Sequence, residues 1–281
     1  MIGSLLALLL MQVGLDPSAG AIPGLPDELI NRPPRRSNEI AAVDALSSPR
    51  ENYLRRCLTM AASEPEDALD FANGWRLVVE DDLELAQSSH CLGLALVRLD
   101  RFDEARQIFE IASAEAPNGL PAYRARLAGM AGNAALADGK PATAEPLFAL
   151  ALAEATRSAD ATLMAGFQID RARALVASGR PEEAANALEA ARASDPDNAR
   201  AWLLSATLAR RLDRIDEAQQ QIEQAATLDP RDPAIGLEAG VIAAIAGRDE
   251  DARKSFESVI SVAPGSDEAA QAAAYLEQLA Q

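Results

Sequence analysis

Small and apolar residues recur along the C-terminal half of the chain with the spacing of buried helix faces. Trp202 and Ala209 share one stripe of a helix, and Ala218 and Ile222 share one stripe of the next segment. A stripe of this kind is typical of an amphipathic α-helix that packs on one side. Pro230 follows the second segment and cannot continue a helix. The pattern therefore predicts two helices joined by a short turn.

The helix pair is repeated at a fixed interval. In three series each member lies 34 residues after the one before it: Ala184, Ala218 and Ala252; Leu188, Ile222 and Phe256; and Pro196, Pro230 and Pro264. One such pair cannot bury its apolar face alone, so neighbouring pairs must stack. A constant period in this range predicts a solenoid rather than a globular domain.

The period and the residues at Trp202, Ala218, Ile222, Ala225 and Pro230 resemble the tetratricopeptide repeat. The resemblance implies an all-α, right-handed solenoid of stacked helix-turn-helix units. It also implies a non-catalytic scaffold that binds proteins or peptides in a concave groove. No segment alternates apolar and polar residues as a strand would, which agrees with an all-α fold.

The same pattern extends towards the N-terminus with extra residues near 117–123 and 156–162. We count five repeats over residues 86–266 and one degenerate repeat over 51–85. The pattern of apolar residues over 267–281 predicts a capping helix, with Ala270, Ala274 and Leu276 facing inward.

The first 50 residues differ from the repeats. Residues 1–21 combine a short apolar run with Ala19-Gly20-Ala21, which fits a signal peptide and its cleavage site. No Lys or Arg precedes the run, although signal peptides usually carry one there. The alternative is that the N-terminal segment is unstructured or its start is wrongly assigned, and that it is not a signal peptide. The proline-rich residues 22–50 predict an extended linker. We expect export to the periplasm, with the cytoplasm as the alternative.

Cys57 and Cys91 are also 34 residues apart, which places them on the first helices of adjacent repeats. In an oxidising compartment such a pair would form a disulfide that ties the degenerate repeat to the stack. The alternative is two free cysteines buried in the core.

Composition excludes several functions. The formal net charge is −17, which disfavours nucleic acid as a partner. His90 and Cys91 point to different faces of a helix and lack further ligands, so we expect no metal site. Paired acids such as Glu182 and Glu183 fall in the first turn of a helix, where they favour the helix dipole. No motif for catalysis or for a cofactor is present, and an enzyme is not predicted.

The resemblance implies which positions of the first helices line the groove. None of these positions is occupied by an acidic residue, although the chain has 43 acids. Six arginines are found there. The positions selected as partner-binding are Arg98, Arg126, Asn133, Arg173, Thr207, Arg210, Arg211, Leu237 and Val241. The same set also includes His90, Gly129, Gly166, Ile169, Val176, Arg200 and Ile245.

An arginine-lined groove predicts a partner segment that bears carboxylates, because arginine binds them through two hydrogen bonds. The alternative is that these arginines pair with neighbouring acids such as Asp170 and Glu238. The sequence also leaves open a structural or oligomerising role, or that of an accessory subunit of an envelope enzyme or secretion complex.

A narrower resemblance rests on the N-terminal part of the chain, at Cys57-Leu58, Asp67-Ala68-Leu69, Trp75 and His90-Cys91. These residues are similar to a group of exported alphaproteobacterial tetratricopeptide-repeat proteins of unassigned function. This resemblance implies a scaffold and nothing sharper.

Overall fold

The computed structural model describes residues 51–79 and 81–280, and within them every regular element is an α-helix. The predicted signal peptide and linker lie outside the described residues. Among the described helices, none is both long and apolar enough to cross a bilayer. The helices are α1 Glu51–Ser63, α2 Pro65–Arg76, α3 Asp82–Arg98, α4 Phe102–Glu115, α5 Pro121–Ala137, α6 Pro141–Ser158, α7 Ala161–Ala177, α8 Pro181–Ser194, α9 Ala199–Arg211, α10 Ile215–Leu228, α11 Pro233–Ile245, α12 Asp249–Val262 and α13 Asp267–Leu279.

These helices form the α-solenoid that the period predicts, and the fold class is confirmed. Each helix packs on the next along the chain. We call α3, α5, α7, α9 and α11 the first helices of the five pairs, and α4, α6, α8, α10 and α12 the second helices. The pair α1 and α2 precedes them and α13 follows.

The extra residues of the N-terminal repeats lengthen helices rather than loops. Helices α3, α5 and α7 have 17 residues each, whereas α9 and α11 have 13. Helix α6 has 18 residues and α8 has 14. The difference corresponds to about one helical turn.

Within each pair, one residue of the first helix is complementary in size to the residue it meets on the second helix: the larger the second residue, the smaller the first. A Cβ atom added to Gly93, Gly132 or Gly240 would lie 2.5, 2.6 or 2.3 Å from a phenylalanine ring of the second helix. Where the second helix carries a smaller side chain, the first helix carries alanine. The glycine pairs are Gly93–Phe109, Gly132–Phe148 and Gly240–Phe256, and the alanine pairs suggested by sequence are Ala172–Leu188 and Ala206–Ile222.

The turn inside a pair requires a left-handed residue. Gly179 and Gly247 take it with φ of 72° and 73°, because glycine has no Cβ to clash. Asp100 and Asp213 occupy the same place in their pairs with φ of 55° and 61°.

The inward face of the capping helix differs from our prediction. Ala270 and Ala274 are exposed, whereas Ala269 and Ala272 are buried. Leu276 is half-buried and packs against the C-terminal core. The prediction was wrong for the two alanines, because the periodicity of an alanine-rich segment does not determine which alanines face inward.

Candidate binding groove

Successive first helices lie side by side, and α5, α7, α9 and α11 contact one another in order. The side of these helices that carries the predicted positions is the candidate groove. Not every predicted position is accessible there. His90, Gly129 and Ile169 are buried, so these residues belong to the core.

Arg210 is already engaged within the protein. Its Nε donates to Glu238 Oε1 at 2.6 Å, and a second guanidinium nitrogen donates to Glu238 Oε2 at 3.1 Å. The side chains of Arg210 and Glu238 are only 14% and 12% exposed. This ion pair, held by two hydrogen bonds, links α9 to α11. It agrees with the alternative prediction that the groove arginines pair with neighbouring acids.

Asp170 forms a second cluster, on α7. Asn133 of α5 donates to its Oδ2 at 3.2 Å, and Arg173 donates to its Oδ1 at 3.3 Å. Burial raises the pKa of the Asp170 carboxyl, and Arg173, Asn133 and Arg200 oppose that rise. Arg173 is therefore half of an internal ion pair rather than an unpaired cation.

Other groove arginines have no such partner. In the part of the chain that the structure describes, Arg98, Arg126, Arg200 and Arg211 form no salt bridge or side-chain hydrogen bond. Arg98, Arg200 and Arg211 are exposed, and Arg126 is half-buried. Arg200 still interacts electrostatically with Asp170, so Arg98, Arg126 and Arg211 carry the uncompensated positive charge at these positions.

The remaining predicted positions have more local roles. Thr207 donates to the carbonyl of Leu203 at 3.1 Å within its own helix. Leu237 and Val241 are half-buried and pack on the C-terminal core, together with Tyr275 and Leu276 of α13. The capping helix thus leaves only part of their apolar surface accessible.

A disulfide joins Cys57 of α1 to Cys91 of α3, with the two Cα atoms 6.0 Å apart. Both residues are fully buried. Arg76 of α2 adds a second tie, because it donates to both carboxylate oxygens of Glu115 at 3.0 and 2.6 Å. The N-terminal helix pair is therefore fixed to the first full repeat.

His90 lies beside this disulfide and is 6% exposed. Its Nδ1 and the hydroxyl of Tyr123 are 3.3 Å apart, whereas Nε2 has no hydrogen-bond partner. Burial lowers the pKa of His90 to about 4 and raises the pKa of Tyr123. No sequence pattern predicts this pair, since the two residues lie on different helices outside any motif.

Within residues 51–79 and 81–280, no cluster of three or more His, Cys, Asp or Glu side chains could hold a metal ion. Several of the polar contacts described above link neighbouring repeats: those of Arg210 with Glu238, Asn133 with Asp170, and Arg76 with Glu115. Their arrangement serves to fix the stack and to leave selected arginines accessible.

Residues 169–233 and 203–269 match the family model of the tetratricopeptide repeat. No curated protein matches the chain. Three solved structures have a similar fold. Because their sequence identities to this chain are low, the similarity shows the fold alone. PilF of Pseudomonas aeruginosa is 14% identical over 80% of this chain and 97% of its own, with a TM-score of 0.60. The apo quorum sensor NprR of B. thuringiensis is 13% identical over 86% of this chain and 74% of its own, with a TM-score of 0.64. A thermophilic tetratricopeptide protein of Thermus thermophilus is 22% identical over 68% of this chain and 99% of its own, with a TM-score of 0.50.

Proposed function

This chain is a tetratricopeptide repeat protein, and from that premise we propose that its groove holds an extended, carboxylate-bearing segment of a partner protein. Tetratricopeptide repeats generally serve as non-catalytic protein-interaction modules. The mechanism is passive, because stacked first helices present a preorganised surface to the ligand.

The observation that carries the proposal is the group of groove arginines without internal partners. Arg98, Arg126 and Arg211 stand on first helices of a chain whose formal net charge is −17. Charge segregated in this way steers a negatively charged segment towards the groove. Arg173 and Arg210 contribute less, because a ligand carboxylate must compete there with Asp170 and Glu238.

The experiment reverses charge where no internal ion pair is disturbed. Full-length protein carrying Arg126→Glu and Arg211→Glu is compared with Arg253→Glu, which changes an exposed arginine on second helix α12. A photo-crosslinking residue at Thr207 in the groove, or at Glu257 on α12, reports where the partner lies. We expect crosslinks from Thr207 only, and their loss in the double variant alone. Crosslinking from Glu257 alone, or a partner retained by the double variant, would contradict groove binding.

We further propose that the protein works in an oxidising compartment such as the periplasm. Disulfides persist there and are rare in the cytosol, which supports the proposal through Cys57–Cys91. Alkylation of denatured protein taken directly from its cells tests it. Two thiols that react without prior reduction would place the protein in a reducing compartment.

Self-assembly is a second candidate that one observation favours. Ile111 on α4 and Leu150 on α6 are 44% and 43% exposed. Ile111 lies six residues after buried Ala105, and Leu150 lies six residues after buried Ala144, so the two occupy equivalent positions on their second helices. Sedimentation velocity over a range of concentrations, with Leu150→Glu as the comparison, separates this role from that of a monomeric scaffold.

A further inference from the structure

The C-terminal ends of three first helices form one edge of the groove. Helices α7, α9 and α11 end at Ala177, Arg211 and Ile245, which follow one another at intervals of one repeat. Large apolar side chains are exposed at or beside two of these ends: Ile245 is the last residue of α11, and Val176 lies one residue before the last residue of α7. Val176 is 37% exposed and Ile245 is 44% exposed, whereas the other large apolar side chains of the described first helices are at least partly covered. We call Val176, Arg211 and Ile245 the edge row.

The middle member of the edge row is a cation. Arg211 is exposed and forms no salt bridge in the described chain, while its neighbour Arg210 is held by Glu238. A helix C-terminus carries a partial negative charge, which repels carboxylates unless a basic side chain lies in the last turn. The last turn of α9 contains Arg210 and Arg211, whereas those of α7 and α11 contain no basic residue. Along these three helices a ligand carboxylate is therefore favoured at α9 alone.

The general spacing of packed helices, such as the three that carry the edge row, sets the pattern of the ligand. Packed helices lie about 8–10 Å apart, and an extended chain advances about 3.3 Å per residue. One repeat thus corresponds to about three ligand residues. We infer that the edge row binds an extended segment in which an acidic residue stands between two apolar residues, each three positions away. The pattern reads the same in both chain directions, so it does not depend on the ligand's orientation. This inference rests on the proposed function.

Asp213 modulates the same site. It lies two residues beyond Arg211, is exposed, and has a φ of 61° where Gly179 and Gly247 stand in neighbouring repeats. Its carboxylate opposes that of the ligand without pairing with Arg211. Asp213→Gly removes this charge at a backbone position that glycine adopts freely.

The test uses fluorescence anisotropy of the full chain with labelled synthetic peptides. One peptide carries the core Leu-Gly-Ser-Glu-Gly-Ser-Leu, and a permuted peptide carries Glu-Gly-Ser-Leu-Gly-Ser-Leu. We expect the permuted peptide to bind about tenfold more weakly, which corresponds to about 1.4 kcal/mol. Arg211→Gln should remove this preference, Asp213→Gly should strengthen binding of the first peptide, and the matched control Arg253→Gln should change neither.

Equal affinity for the two peptides, no detectable binding, or an unchanged preference in Arg211→Gln would overturn the inference. These results are distinguishable from failure of the proposed function. If a natural partner still crosslinks from Thr207 in the groove, only the edge row is wrong. If crosslinks form from the second helices alone, the groove itself is not the binding site.

Discussion

Replacement of Gly240 by alanine should destabilise the C-terminal repeat, although alanine is the better helix former. The new Cβ would lie 2.3, 2.6 and 2.8 Å from three ring atoms of Phe256. Carbon atoms in contact prefer about 3.5–4.0 Å, so the ring or the helix must move by about 1 Å. Phe256 is 1% exposed and stacks on Tyr275 with ring centroids 5.3 Å apart, which leaves the ring little room to withdraw.

The magnitude follows from two opposing effects. Overpacking of a core costs about 1–3 kcal/mol, and the helix propensity of alanine returns about 1 kcal/mol. We therefore expect a net loss of up to about 2 kcal/mol in the free energy of unfolding. Gly166→Ala is the matched control, because no atom lies within 4 Å of the added Cβ. It should stabilise by about 0.5–1 kcal/mol.

The decisive assay combines Gly240→Ala with Phe256→Leu and measures urea unfolding by circular dichroism, with hydrogen exchange in α12 as the local readout. The double variant recreates the pairing of Ala172 with Leu188 found in the third repeat. Its destabilisation should be smaller than the sum of the two single effects by about 1 kcal/mol or more. Additive effects, or a Gly240→Ala variant that is as stable as Gly166→Ala, would refute the packing argument.

Three further outcomes are expected. Replacing Cys57 and Cys91 by alanine removes a cross-link over 34 residues, which should cost the N-terminal helix pair about 3–4 kcal/mol; unchanged hydrogen exchange in α1 and α2 would contradict this. His90 has a folded-state pKa of about 4 against an ordinary value of 6.5, so the unfolded chain takes up the proton first. Its contribution to stability is complete above pH ~6.5 and is lost as the pH falls towards ~4, by up to about 3 kcal/mol. The stability of His90→Gln should vary less over that range, and parallel pH profiles would argue against the assignment. Arg210→Ala leaves Glu238 without its partner and should lower the unfolding free energy by about 1–2 kcal/mol, whereas exposed Arg211→Ala should change it by less than about 0.5 kcal/mol; equal losses in chemical denaturation would contradict the ion-pair geometry.

The fold could be predicted from the sequence because its determinants are local and repeated. Each pair carries small residues at equivalent positions of its helix crossing, so one interpretation of the period applies to every repeat. Which face of α13 packs on the end of the stack could not be predicted in the same way. On α13 almost every candidate position is alanine, and burial of Ala269 and Ala272 depends on Tyr275 and Leu279 meeting the core.

The accessible groove could be predicted only in part, since accessibility depends on contacts between repeats. His90 occupies a groove position by its number in the repeat, but Tyr123 from the next first helix contacts its ring and leaves it in the core. Asp170 adjoins a groove position and could be named as an alternative partner. Its bond to Asn133 on the preceding first helix could not be deduced, because it depends on how two helices are placed side by side.

Arg210 and Arg211 show why the residue type alone does not define a binding site. The two are identical neighbours in the sequence, and both were expected to contact a ligand. A rotation of about 100° per residue directs Arg210 towards Glu238 on the next first helix and leaves Arg211 at the exposed end of α9. The first therefore stabilises the groove, and the second is free to bind. A charge-reversal experiment at Arg210 would confuse the loss of an internal ion pair with the loss of a ligand contact, whereas the same change at Arg211 would report binding alone.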